Sequence, residues 1–436
     1  MQSGSFSGVA EYFAHCRDVD SSEIGRPSDL VSQAMRTRTV VGLSTLAMLI
    51  AACGAGAADS DDTTTSPPDE TTTTSPEPSQ PDDSADGLSA LDDMRNPAFP
   101  EPLVDPDEII SGGPPPDGIP PIEAPQFISV EEADEWLGTE EPVVYVEVND
   151  EVKAYPVQIL IWHEIVNDTV GDVPVAVTYC PLCNSAVTYV REVDGEVTSF
   201  GTSGRLFASA LVMYDRATES LWTHFDGRAV VGVRTGEQLE FIPSPLIGWA
   251  DFKEAFPDAL VLDRDQTGHS RPYGENPYVG YDNPDTNPFL FRGTVDDRAA
   301  AKQRVVGVNL DGTARAWTLE AISDGDASAT NTDVAGAPIV IFWRAGQATA
   351  LESELVVSGR DVGSVAVFLP TVDGQDLTFE AREGVFVDDQ TQSEWDITGK
   401  AVSGELAGTT LEQIHHLDTF WFAWSTYQPE TDLIEG

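Results

Sequence analysis

The chain has 436 residues, with 23 Lys plus Arg against 74 Asp plus Glu and a formal net charge of -51. So negative a chain repels phosphate backbones and anionic headgroups, which excludes nucleic-acid binding and membrane docking through a basic patch. Hydrophobic residues make up 41%, with 9 Trp and 18 Phe, enough for a substantial core, and the length allows two or three domains.

The first hundred residues read as address and tether. Met35-Arg36-Thr37-Arg38 is a short basic start, Val40 to Ile50 is apolar, and Ile50-Ala51-Ala52-Cys53 follows. This is the layout of an export signal, too short to cross a bilayer as a helix. The tripeptide before Cys53 resembles a bacterial lipobox, which implies a lipidated Cys53 as the mature N-terminus and a chain anchored to the outer face of the cell membrane. Residues 1–34 then read as an upstream extension and 35–52 as the signal. From 53 to 113 the text is dense in Thr, Ser, Pro and acidic residues, a composition that favours a solvated tether.

Beyond the tether the sequence repeats itself. Val143 to Val148 with Lys153-Ala154-Tyr155 returns as Val305 to Leu310 with Arg315-Ala316-Trp317, and Val173 to Tyr179 returns as Ala337 to Trp343. Asp215, Thr218, Ser220 and Trp222 return as Asp388, Thr391, Ser393 and Trp395, and Gly236, Leu239, Ile242 and Trp249 as Gly408, Leu411, Ile414 and Trp421. The expected organisation is a first repeat over 114–268, a crossover over 269–297 that is long enough to cover a cleft, and a second repeat over 298–436, packed as a pseudo-symmetric pair.

Each repeat reads as mainly β with a few short helices, a β-rich α+β fold. Alternating and β-branched runs such as Val143 to Val148, Val175 to Tyr179 and Val365 to Phe368 are strands, with Asp-Gly turns at 194–195, 226–227, 311–312 and 373–374. Helices are expected over Val130 to Leu137, Pro156 to Val166 and Trp249 to Phe256.

The repeats differ at Cys180-Pro181-Leu182-Cys183, which aligns with Arg344-Ala345-Gly346-Gln347. Two thiols at this spacing have three readings. They are a reversible dithiol, although strands rather than a helix N-terminus flank them; a metal knuckle for copper or zinc completed by His163, His224, Met213 or a carboxylate; or a structural disulfide across a tight turn. Asn184 follows Cys183 where covalent haem attachment would place His. Trp162-His163-Glu164 lacks the second His of a zinc peptidase. His415-His416 reads as a surface loop, Gly201-Thr202-Ser203-Gly204 as a turn, and Tyr214-Asp215-Arg216 as a structural ion pair. There is no phosphate loop or dinucleotide fingerprint.

Ala154-Tyr155-Pro156, Trp162-His163-Glu164-Ile165-Val166-Asn167-Asp168, Thr178-Tyr179-Cys180-Pro181-Leu182-Cys183, Phe200-Gly201 with Ser203-Gly204, and Leu211 to Arg216 carry a resemblance. The chain resembles the bacterial and archaeal domain-of-unknown-function family numbered 3179, over most of its length after Glu132. The resemblance implies shared His163 and two-Cys positions and sets His224, a position often occupied by Gln, lower as a required ligand. It implies no established reaction. The expectation is a lipid-anchored envelope protein with a thiol site at Cys180 and Cys183, assisted by His163 and Met213. The rival is a non-catalytic binding module with a structural disulfide and a ligand between the repeats.

Overall fold

Turn chemistry and β-branched alternation account for most of the local structure in the computed structural model, which describes residues 87–436. Asp194-Gly195, Asp311-Gly312 and Asp373-Gly374 have both central residues at positive φ, as do Asn149-Asp150 and Gly171-Asp172. This is the geometry of a two-residue hairpin whose twist matches that of its strands. The result is a mainly β fold with five short α-helices among the described residues. Helices cover Val130–Ala133, Val157–His163 and Trp249–Ala255, slightly shorter than expected, and two more cover Leu319–Ile322 and Trp421–Tyr427. Among the described residues no helix is long and apolar enough to cross a membrane. The export signal, Cys53 and the tether up to residue 86 lie outside the described residues.

Among the described residues each part of the chain forms three larger sheets and one two-stranded hairpin. In the first, Pro142–Val148 lies between Leu246–Gly248 and Glu151–Pro156, which pairs in parallel with Leu260–Leu262. Further on, Arg304–Leu310 lies between Leu417–Phe420 and Thr313–Thr318, which pairs in parallel with Asp432–Ile434. The second sheet, in the order Phe241–Ile242, Ser185–Val190, Val173–Cys180, Ile165–Val170, has the same pairing as Glu412–Gln413, Ser364–Leu369, Ala337–Arg344, Ala327–Val334. In the third, Phe200–Phe207 to Ala229–Val231 pair as Phe379–Arg382 to Ala401–Ser403 do.

A buried network recurs in this third sheet. Asp215 accepts from Thr218 N, Thr218 Oγ1 and Trp222 Nε1, and Asp388 accepts from Thr391 N, Thr391 Oγ1 and Trp395 Nε1. Asp215 is therefore an acceptor hub and not the partner of Arg216, whose guanidinium pairs with Asp117 and Glu123. Gly201 to Gly204 is not a turn but the bulged middle of the strand Phe200–Phe207. Gly204 has φ +69, and a Cβ there would fall 2.0 Å from the Pro114 carbonyl oxygen, so only glycine lets the two segments meet.

Two further expectations are corrected. Residues 88–113 were assigned to the tether, yet Leu88, Leu91, Phe99 and Ile109 join Val212, Tyr214 and Val231 in an apolar cluster, and Ile110–Ser111 adds an edge strand beside Phe200–Phe207. The apolar residues dispersed in this acidic, Pro-rich stretch bury enough area to offset its ordering. His415 is not a solvent-facing loop residue, because its ring stacks on Phe241 at 4.1 Å.

The largest apolar cluster runs from Val144, Tyr155 and Leu160 through Cys180, Cys183 and Met213 to Phe420, Trp421 and Trp424. The crossover threads Tyr278 and Tyr281 into this core and lines a cavity of about 450 Å³ with Phe207, Ser425 and Thr426.

Asp215→Ala removes three hydrogen bonds to one buried charged acceptor and is expected to cost roughly 2–4 kcal/mol, with a similar loss for Asp388→Ala. Urea unfolding followed by tryptophan fluorescence measures both.

Candidate metal and thiol site

Cys180 ends the strand Val173–Cys180 and stands opposite Ser185, the first residue of the returning strand Ser185–Val190. The thiols therefore occupy the tip of a hairpin. Asn184 closes the turn at φ +50, a left-handed conformation that Asn adopts more readily than most residues. Both sulfurs are buried, free, and 2.9 Å apart.

The two sulfurs have opposite environments. Burial pushes the Cys180 thiol up, but the Cys183 S–H and the backbone N–H groups of Leu211, Cys183 and Leu182 aim at its sulfur and hold it below the usual thiol range. Burial and the neighbouring Cys180 sulfur push Cys183 well above that range, against the help of Ser185 Oγ at 3.0 Å. The surroundings thus favour the ionised form at Cys180 and the neutral form at Cys183.

His224 completes the group. Its ligand nitrogen and the two sulfurs all lie within 4.8 Å of one another, so Cys180, Cys183 and His224 form a set able to hold a metal ion. The backbone fixes the imidazole from both sides: His224 N donates to Leu211 O at 3.0 Å, and its carbonyl accepts from the Tyr189 hydroxyl at 2.5 Å. Neither ring nitrogen has a hydrogen-bond partner, and burial drives the ring pKa down to about 3. A neutral, desolvated imidazole with a free lone pair beside two thiols is chemically a ligand in waiting.

The other candidates divide. Met213 is fully buried in the same apolar cluster as the thiols, on the strand whose Leu211 serves both Cys180 and His224. His163 is held elsewhere, with Nδ1 2.7 Å from Pro120 O, Nε2 2.7 Å from the Tyr273 hydroxyl, and its ring 5.0 Å from that of His269. Both nitrogens are occupied, Nδ1 with the segment before the first long strand and Nε2 in fastening the crossover to the helix Val157–His163, so His163 does not join the sulfurs.

Glu164 is a further buried group beside Cys180 that the sequence does not mark as a site residue. It caps that helix at φ +59, and its buried carboxyl is raised well above the usual carboxylate range by burial and then by Cys180. With Cys180, Leu182, Thr202 and Leu211 it lines a narrow pocket that reaches the hairpin tip. Its cue in the sequence is its place beside His163 in Trp162-His163-Glu164.

Residues 116–431 match the family described as "Protein of unknown function (DUF3179)". No curated protein and no solved structure matches the chain.

Burial of neutral histidines sets a pH dependence. The ordinary His pKa of 6.5 falls to about 3 at His224 and about 4 at His163. The unfolded chain therefore binds protons first on acidification, and stability is lost as pH falls from 6.5 toward these values. His224→Leu is expected to reduce the slope of unfolding free energy against pH by about one proton between pH 6 and 4. Denaturant melts across that range, wild type against variant, read it directly.

Proposed function

Because the chain belongs to the DUF3179 family, whose description states no activity, we propose a function from the geometry: the protein holds a thiophilic metal ion, copper(I) or zinc, on Cys180, Cys183 and His224. The observation that carries this reading is the His224 imidazole, buried with both nitrogens unpartnered beside two sulfurs. A desolvated polar group without a partner costs about 1–3 kcal/mol, which a metal bond repays. Soft thiolates with one imidazole suit both ions. His163, which the resemblance favoured, has no such lone pair to offer. In this proposal the folded part sits outside the cytoplasm, held to the membrane by a lipid on Cys53.

A second reading has its own support. The polarised pair, with Cys180 favoured as thiolate and Cys183 as thiol, suits attack by one sulfur and resolution by the other. Cys180, the sulfur favoured as thiolate, also lines a small pocket with Glu164.

Elemental analysis and free-thiol counts on the purified chain are expected to show one equivalent of metal and two thiols that react only after chelation. His224→Ala is expected to weaken metal binding about 100-fold while both thiols stay countable, and Cys180→Ser with Cys183→Ser to abolish it. No metal, with both sulfurs oxidised and resistant to mild reductant, would instead leave a structural disulfide.

The dithiol reading has a separate readout. A small alkylating reagent is expected to modify Cys180 before Cys183, at a pH below the usual thiol range. Cys183→Ala, which removes the S–H donor, shifts that titration upward. Mass spectrometry of the labelled peptides separates the two sites.

A further inference from the structure

The strand Leu417–Phe420 carries a buried carboxylate, Asp418, that Arg304 neutralises. Arg304 opens the strand Arg304–Leu310 opposite Phe420, and its guanidinium donates from Nε at 2.9 Å and from Nη2 to the two Asp418 oxygens. Both side chains are nearly closed to solvent, at 4% and 6% exposure. The fold does not need an ion pair there. In the matching strand pairing earlier in the chain Pro142 lies opposite Gly248, and Leu246 stands where Asp418 does. Two charges are expensive to bury, so a pair whose counterparts are proline and leucine points to a use beyond stability.

Nε and Nη2 form one edge of the planar guanidinium, which leaves Nη1 on the edge turned away from Asp418. Nη1 is buried and has no hydrogen-bond partner, and buried polar groups are nearly always paired. Arg304 also lines a cavity of about 390 Å³ whose apolar wall is Leu319, Trp343 and Val362. The Trp343 indole donates its N–H to Val362 O at 3.0 Å, so what it offers the cavity is apolar ring. Lys302, 1% exposed, brings a buried ammonium that donates to Tyr281 O and Thr286 Oγ1, and the half-exposed Arg360 brings a second guanidinium. The carboxylates on this wall are already engaged. Asp361 accepts from the backbone N–H groups of Gly346, Gln347 and Gly363, Asp282 from Thr349 Oγ1 and Arg360, and Glu320 from Gln303.

We propose that this cavity binds a small organic monocarboxylate, one oxygen of which accepts from Arg304 Nη1 while its apolar part lies against Trp343 and Leu319. A cavity of this size with an apolar wall and a few convergent polar groups is the usual form of a small-molecule site. Three cationic side chains and three carboxylates line it, with Asp418 behind Arg304, so no excess of positive charge is left over. Hydrogen bonding and apolar contact, rather than net charge, hold the ligand, which selects a carboxylate with an apolar body over a phosphate dianion. The site is separate from the thiols and does not depend on the metal reading.

Isothermal titration calorimetry of the full chain with benzoate, phenylacetate and acetate tests this, with benzamide and inorganic phosphate as controls. One equivalent of benzoate or phenylacetate is expected to bind, with acetate, benzamide and phosphate each about 10-fold weaker or more, the cost of losing the buried ring or one charged hydrogen bond. Arg304→Lys keeps a cation beside Asp418 without the second donor edge, and is expected to bind benzoate about 10-fold more weakly. Leu319→Asp keeps the ion pair intact and serves if that variant fails to fold. It adds a carboxylate to the wall at the first residue of the helix Leu319–Ile322, and is expected to lose benzoate binding with little change in melting temperature. No binding of any of the three carboxylates, benzamide or phosphate binding as tightly as benzoate, or full benzoate affinity in Leu319→Asp would each overturn the proposal.

Discussion

The carbonyl of Cys183 is the joint on which the site depends. It accepts Phe420 N at 3.1 Å and Thr419 Oγ1 at 2.7 Å, so the tip of the thiol hairpin is clamped by a strand that lies 236 residues further along. A four-residue turn with two sulfurs is by itself free to open, and a free turn sets no fixed distance between its thiols and a third group. Clamped through its own backbone, it presents both sulfurs to a ring held in place by Leu211 and Tyr189. The strand that supplies the clamp runs into the helix Trp421–Tyr427, which places Trp424 and Tyr427 on Phe225. Rigidity at the sulfurs is therefore a property of the whole assembly.

The polar groups around the sulfurs are expensive to bury, and their distribution is uneven. Asp215 and Asp388, equally deep, each satisfy several donors and sit at matching places. His224 and the thiols have no such matches: Ile397 and the run Arg344 to Gln347 stand opposite them. Recurrent polar groups are those the fold uses to stabilise itself, while unmatched ones are tolerated against stability, which is where chemistry is to be sought.

Much of the fold was legible in the sequence because its signals are local. Alternation over Val143 to Val148 and Asp-Gly at 194–195 need only a few neighbours to act, and Cys180 and Cys183 are close because only Pro181 and Leu182 lie between them in a tight turn. His224 was harder to see. What brings it to the thiols is the register of Ala210–Asp215 against Leu221–Thr223, together with a hydrogen bond to Leu211, neither of which is written in the spacing from Cys183. His163, adjacent in the text to a helix end, was more conspicuous and was taken up by Pro120 and Tyr273, two residues no local pattern connects with it. Residues 88–113 misled for a related reason: composition averages a segment, whereas burial is decided by the few apolar side chains in it.

The clamp also orders events in time. A chain made from its N-terminus presents Cys180 and Cys183 long before Thr419 and Phe420 exist, and contacts of such separation are slow to close. Until then the two thiols stand in a half-built pocket, reactive with each other and with any oxidant or stray ion they meet. The thiol pair therefore takes its final place only when the last strand and helix arrive, which makes the hairpin tip one of the latest parts of the fold to settle.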